Sequence, residues 1–169
     1  MFIAILQHTP GWVWGLLTAL AALGLWQTRD REMTLARVTI LPLVLIALSL
    51  SGVLNAFGHF PVALGGWAAG AGAALAFGRQ LLAVRGARWS ADAGLLHVPG
   101  SWLPLVLIVG LFCIKYFAGA SLVMHPTLAG DATFAGLCSL AYGSFSGLFL
   151  ARAMSLRGLA TRGTGLSAA

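Results

Sequence analysis

At 169 residues and 17.5 kDa the chain has the size of one domain, but 59% of its residues are hydrophobic and only 8% are charged, with a mean hydropathy of +0.92. This composition lies far outside that of soluble domains and excludes a water-soluble globular enzyme. The formal net charge of +6 does not indicate nucleic-acid binding, because the ten basic residues are scattered between apolar runs and form no contiguous stripe. The class that remains is an integral membrane protein.

Five apolar stretches are long enough for transmembrane helices, which need roughly 20 residues and about 17 at the least. They cover residues 11–27, 38–58, 61–78, 102–124 and 134–151, and none of them contains Asp or Glu. We therefore expect an all-α membrane protein, a five-helix transmembrane bundle that forms one integral membrane domain over residues 1–157.

The nine arginines all follow the first, third or fifth predicted span, and the loops after the second and fourth spans contain none. Under the positive-inside rule this asymmetry predicts that the N-terminus is outside and the C-terminus is cytoplasmic. The expected partners are the lipid bilayer and anionic lipids at the cytoplasmic face, with no nucleic acid.

Two cytoplasmic segments follow from local composition. Residues 86–99 hold a short apolar run, a turn with Asp92 and Gly94, and a second apolar run. This order predicts a small cytoplasmic β-hairpin between helices 3 and 4. Residues 158–169 are rich in Gly, Ser, Thr and Ala, and we expect them to form a flexible cytoplasmic tail.

Lys115 is the only charged side chain deep inside a predicted span, about 3 Å from the bilayer centre by the helical rise per residue. A central Lys costs about 2.5 to 3.5 kcal/mol on the insertion scale, which the apolar residues around it can offset. Its stem leans toward the N-terminus of its helix, away from the nearer interface, so snorkelling is disfavoured. Two interpretations stay open: a structural lysine satisfied by carbonyls or water, and a ligand or proton site.

Hydroxyl and amide side chains lie at a similar depth on neighbouring spans. Tyr142 and Ser139 share one helical face, and Ser51 and Asn55 lie four residues apart on another. With Lys115 they predict a ligand-binding pocket open to the outside, although an ordinary interhelical hydrogen bond is the alternative for each of them. Since no carboxylate is available at that depth, either Lys115 titrates or a small anionic or carbonyl-bearing molecule supplies the partner.

Metal and catalytic motifs are weak in this sequence. His8, His59 and His125 lie at predicted outer ends of spans, where imidazoles could hold a metal ion or haem iron. Neither an HxxH nor an HxxxH spacing supports such a site, so we predict no metal, and the cofactor stays unknown. No paired acid and base is present either, and we therefore expect no catalytic residue and a protein that is not an enzyme.

Small residues recur at helical spacing in two spans. They are Gly66, Gly70, Ala74 and Gly78 in the third span, and Gly136, Gly143 and Gly147 in the fifth. Such faces let helix backbones approach closely in lipid. Packing within one bundle and formation of a homodimer are both compatible with this pattern.

Several strings can be compared with known families: residues 8–13 (HTPGWV), 27–31 (QTRDR), 37–39 (RVT), 98–102 (VPGSW) and 142–147 (YGSFSG). They resemble a family of small bacterial membrane proteins known only as a domain of unknown function, over nearly the whole chain. This resemblance implies a multi-pass protein of the bacterial inner membrane and brings no activity. The layout also looks like that of CcdC-type membrane proteins linked to cytochrome c biogenesis, without a shared motif.

Two functional hypotheses follow. The first is a protein that binds or transports a small anionic or carbonyl-bearing molecule, or protons, at a pocket around Lys115. The second is an accessory protein that assembles a membrane redox or cytochrome complex and docks a redox partner through its small-residue faces.

Overall fold

The structure, a computed structural model, describes residues 11–81, 86–90 and 94–166. In this part of the chain it contains five α-helices: α1 (Gly11–Trp26), α2 (Leu35–Phe57), α3 (Pro61–Leu81), α4 (Leu103–Met124) and α5 (Ala132–Leu166). Three short strands accompany them: β1 (Arg31–Met33), β2 (Arg88–Ser90) and β3 (Leu95–Val98). A 3-10 turn over Pro126–Gly130 joins α4 to α5. The prediction of a mostly helical protein is confirmed.

Four of the described helices are long and apolar enough to cross a membrane: α2, residues 61–78 of α3, α4, and residues 132–161 of α5. Their mean hydropathies lie between 1.3 and 2.2. The remaining helix, α1, is apolar but has 16 residues. At 1.5 Å per residue it is about 24 Å long, shorter than the roughly 30 Å apolar core of a bilayer. The first of the five predicted spans therefore stays a prediction.

The tightest helix pair is α3 with α5, and small residues make its contact possible. A β-carbon built on Gly66 would lie 2.7 Å from the carbonyl oxygen of Gly136. One built on Gly70 or Gly143 would collide with the backbone of the opposite helix. Such close approach is what small residues permit between helices in lipid. The small-residue faces of the third and fifth spans thus pack against each other within one chain. A homodimer stays a prediction.

Helix α5 lies at the centre of the bundle, because it packs against α2 and α4 as well as α3, while α1 packs on α4. One core cluster joins α2, α3, α4 and α5, and its buried residues include Val53 and Phe57 of α2, Ala63 of α3, Ala118 of α4, and Ala135 and Tyr142 of α5. This arrangement leaves α2 and α4 on either side of α5, with a groove between them.

The strands form one antiparallel sheet in the order β1-β3-β2. In the segment predicted as a hairpin, β2 pairs with β3 and places Trp89 opposite Leu96. On the other side of β3 lies β1, with Glu32 opposite His97. The sequence does not predict β1, because its three residues are too few to show an alternating pattern.

One face of the sheet packs on the helices. Leu96 and Val98 of β3 are buried against Val38 of α2 and against Ala153 and Leu156 of α5. The sheet therefore covers the part of α5 that follows residue 151.

This packing explains the length of α5. Its 35 residues correspond to about 52 Å, well beyond the apolar thickness of a bilayer. Ala160 is 2% exposed, so the helix is still packed against the rest of the protein at this residue. The segment expected to be a flexible tail is helical from residue 158 to Leu166, and its last three residues lie outside the described residues. Tertiary contacts override the weak helix propensity of its Gly, Ser and Thr residues.

Candidate functional site

Two of the predicted site residues lie next to each other: Lys115, which is exposed, and Tyr142, which is buried. The Lys115 Nζ atom lies 5.6 Å from the centroid of the Tyr142 ring, which is a cation–π distance. The same ammonium lies against α2, because a β-carbon built on Gly52 would be 3.3 Å from it. Lys115 of α4 therefore places its charge next to both α2 and α5.

The Lys115 ammonium is not balanced by an acid in the described part of the chain. The carboxylates of the described residues lie in loops or in β1 and belong to Asp30, Glu32 and Asp131. A cation–π contact is worth about 0.5 to 2 kcal/mol. Placing a Lys at the centre of a membrane costs about 2.5 to 3.5 kcal/mol, so the ring alone does not offset the charge.

A cavity of about 340 Å³ lies between α2, α4 and α5, and Lys115 forms one end of it. Its walls are almost entirely apolar and include Pro42 and Leu45 of α2, Ile108, Leu111 and Phe112 of α4, and Phe149 of α5. From Pro104 to Lys115, which both line it, α4 rises about 16 Å. The cavity is therefore elongated and suits an apolar body.

The other end of the cavity carries arginines. Arg31, Arg37 and Arg152 line it together with Gln27, and the described lining residues include no carboxylate. Gln27 is 7% exposed, and its Oε1 accepts a hydrogen bond of 3.1 Å from Arg31 Nη2. Burial lowers the pKa of the Arg31 guanidinium, because desolvation disfavours its charged form. Both ends of this apolar cavity are thus cationic.

Of the predicted site residues, Lys115 lines the cavity, whereas Tyr142, Ser51, Asn55 and Ser139 do not. Ser51 and Asn55 are exposed on α2, and the Ser51 hydroxyl donates to the Leu48 carbonyl of its own helix at 3.0 Å. Ser139 is fully buried, and its Oγ has no hydrogen-bond partner among the described residues. Of the predicted set, the structure brings together Lys115 and Tyr142.

Ser49 is a buried polar residue next to Tyr142 that the sequence analysis did not identify. It is 3% exposed, donates to the Tyr142 carbonyl oxygen at 3.4 Å, and accepts a bond of 3.3 Å from Trp67 Nε1. Ser49 precedes the buried residues Val53 and Phe57 by one and two helical steps of four residues. This stripe is the signal in the sequence that could have identified it.

The candidate metal ligands lie apart from the cavity. His59 is exposed and its ring lies 4.1 Å from that of Phe60, and His125 is exposed at the C-cap of α4. His8 lies outside the described residues. Within the described ranges, no group of three or more His, Cys, Asp or Glu side chains could hold a metal ion.

The chain was compared with known families, curated proteins and solved structures. A family model, described as a family of unknown function (DUF6622), matches residues 1–165. No curated protein and no solved structure matches the chain. The chain belongs to the family DUF6622.

Proposed function

We propose that this member of DUF6622 binds a small anionic or carbonyl-bearing molecule in the cavity between α2, α4 and α5, with Lys115 as its polar contact. The observation that carries the proposal is the cavity itself. It combines apolar walls with an ammonium at its end, and the described lining residues include no carboxylate to pair with that charge.

The chemistry of the lining indicates an amphiphile. A volume of about 340 Å³ falls within the usual range of small-molecule sites. Apolar walls favour an apolar body, while the ammonium of Lys115 can donate charge-assisted hydrogen bonds to a carboxylate or carbonyl oxygen. A ligand with one carboxylate or carbonyl group on a slender apolar chain matches both the apolar walls and the ammonium.

The shape of the cavity bears on how a ligand enters. The sequence predicts a pocket open to the outside, but the cavity runs from Lys115 toward Arg31 and Arg152. In the bacterial inner membrane, the positive-inside rule puts those arginines at the cytoplasmic face. This direction favours entry from the cytoplasmic leaflet.

The assembly-protein hypothesis has less support. It relied on small-residue faces that could dock partner helices, and those of α3 and α5 pack against each other, as Gly66 does on Gly136. A binding protein is therefore the function that the geometry favours.

The test uses 11-(dansylamino)undecanoic acid and the corresponding alcohol as probes, with purified protein in nanodiscs of neutral lipid. We expect Lys115→Met to weaken binding of the acid by about tenfold, which corresponds to about 1.4 kcal/mol, and to leave the alcohol nearly unchanged. Ser51→Ala, at a position that does not line the cavity, is the matched control. Equal affinity of Lys115→Met and wild-type protein for the acid would overturn the proposal.

A second pair of variants tests the place of binding. Ile108 lines the cavity, whereas Val106 on the same helix is 63% exposed and does not line it. Ile108→Trp fills the cavity and should abolish binding of both probes, whereas Val106→Trp should bind them normally. Full binding by the Ile108→Trp protein would show that the probes bind elsewhere.

A further inference from the structure

A pair of arginines lies at the end of the cavity remote from Lys115. We propose that Arg31 and Arg152 bind the phosphate group of an anionic phospholipid from the surrounding membrane. The arginine pair lies in the same cavity as Lys115 but at its opposite end, and the proposal does not depend on binding at Lys115.

The two guanidinium groups belong to different elements that line the same cavity. Arg31 lies in β1 and Arg152 in α5, both are partly buried, and both line the same end of the cavity. Arg31 is also held in place by its hydrogen bond to the buried side chain of Gln27.

The positive charges of Arg31 and Arg152 favour binding of an anion. The described residues that line the cavity include no carboxylate to balance these charges. Two like charges in a partly buried setting destabilise each other, and an anion between them reverses that effect. Guanidinium groups match phosphate oxygens by paired, parallel hydrogen bonds, which makes an arginine pair a suitable phosphate ligand.

The position of the pair along the bundle favours a lipid as the source of the phosphate. From Ala132 to Arg152, α5 rises about 30 Å, which is the apolar thickness of a bilayer. Trp26 at the end of α1 and Trp102 at the start of α4 are 71% and 65% exposed. Exposed tryptophans are typical of the membrane interface, where lipid headgroups lie. Basic pockets between helices at that level are suited to anionic headgroups.

The test is native mass spectrometry of the protein released from micelles doped with equal amounts of phosphatidylglycerol and phosphatidylcholine. We expect wild-type protein to retain phosphatidylglycerol preferentially, and Arg31→Gln and Arg152→Gln each to lower that retention by about tenfold. Arg157→Gln is the matched control, because Arg157 is an exposed residue of the same helix that does not line the cavity. Arg152→Lys keeps the positive charge but loses the paired hydrogen bonds of a guanidinium, so this variant should retain an intermediate amount of phosphatidylglycerol.

Three outcomes would overturn the proposal. The first is no preference for phosphatidylglycerol, and the second is an equal loss of retention in Arg157→Gln. The third is displacement of phosphatidylglycerol by inorganic phosphate, which would identify a soluble ligand. Lys115→Met should retain phosphatidylglycerol like wild-type protein. If Lys115→Met loses probe binding but retains the lipid normally, only binding at Lys115 is lost. If Arg152→Gln loses the lipid but binds the probe normally, only binding at the arginine pair is lost.

Discussion

The backbone amide of Gly100 donates a hydrogen bond of 2.7 Å to Oδ1 of Asp30, and this bond joins two loops that are 70 residues apart in sequence. The approach is close, because a β-carbon on Gly100 would collide with the Thr28 carbonyl. The contact fixes the loop after α1 against the loop before α4. It thereby positions Arg31, the residue after Asp30, at the arginine end of the cavity.

Replacement of Gly100 by Ala should destabilise the protein. The added methyl group meets backbone atoms of Thr28 and not a flexible side chain, so one of the loops must move. We expect a loss of about 1 to 3 kcal/mol in the free energy of unfolding, the usual cost of overpacking. Thermal unfolding in detergent measures it. Gly130→Ala is the control, since a β-carbon there meets nothing within 4 Å, and equal stability of the two variants would contradict the close approach.

The packing of α3 on α5 gives a second prediction. Gly143→Ala places a methyl group against the backbone of Trp67, and we expect it to cost about 1 to 3 kcal/mol in stability. Gly72→Ala on α3 has open space and should be neutral or stabilising by up to about 1 kcal/mol, because Ala favours helix more than Gly does. Thermal unfolding of both variants checks the difference. If Gly143→Ala is as stable as Gly72→Ala, the two helices do not touch at this point.

Ser49→Ala should weaken the contact between α2, α3 and α5. The substitution removes the acceptor of Trp67 Nε1 and the donor to the Tyr142 carbonyl. The Tyr142 carbonyl keeps its hydrogen bond of 2.9 Å from Ser146 Oγ, but the part-buried Trp67 Nε1 loses its acceptor. Because of that unpaired donor, the expected loss is about 1 to 3 kcal/mol in the free energy of unfolding. Ser51→Ala is the control, since the Ser51 hydroxyl bonds to a carbonyl of its own helix. Unfolding curves of the two variants that coincide would contradict the role of Ser49.

Topology is the fourth prediction, and the direction of ligand entry depends on it. Reporter fusions after Ala129, between α4 and α5, should lie outside the cytoplasm, and fusions after Leu166 should lie inside. Paired alkaline phosphatase and green fluorescent protein reporters distinguish the two sides. An external C-terminus would place the arginines outside and contradict entry from the cytoplasmic leaflet.

Much of the candidate site was beyond sequence reasoning for a physical reason. In lipid, a helix such as α4 is apolar on nearly all sides, so its hydrophobic pattern does not mark the face that packs against other helices. Depth could be counted along the chain, which is why Lys115 and Tyr142 were correctly expected to be neighbours. The choice between Ser51 and Ser49 on α2 depended on which face of the helix is buried. The sequence analysis selected Ser51, which is exposed in the structure, whereas Ser49 is buried.

The sequence by itself determined the apolar helices, the arginine asymmetry, the isolated charge of Lys115 and the segment that forms β2 and β3. These follow from composition and from the order of residues along the chain. Only the tertiary structure decided that β1 joins the sheet, that α5 continues to Leu166, and that the cavity runs from Lys115 to the arginines. Each of these depends on which surfaces meet across long separations in sequence, and local propensity carries no information about such contacts.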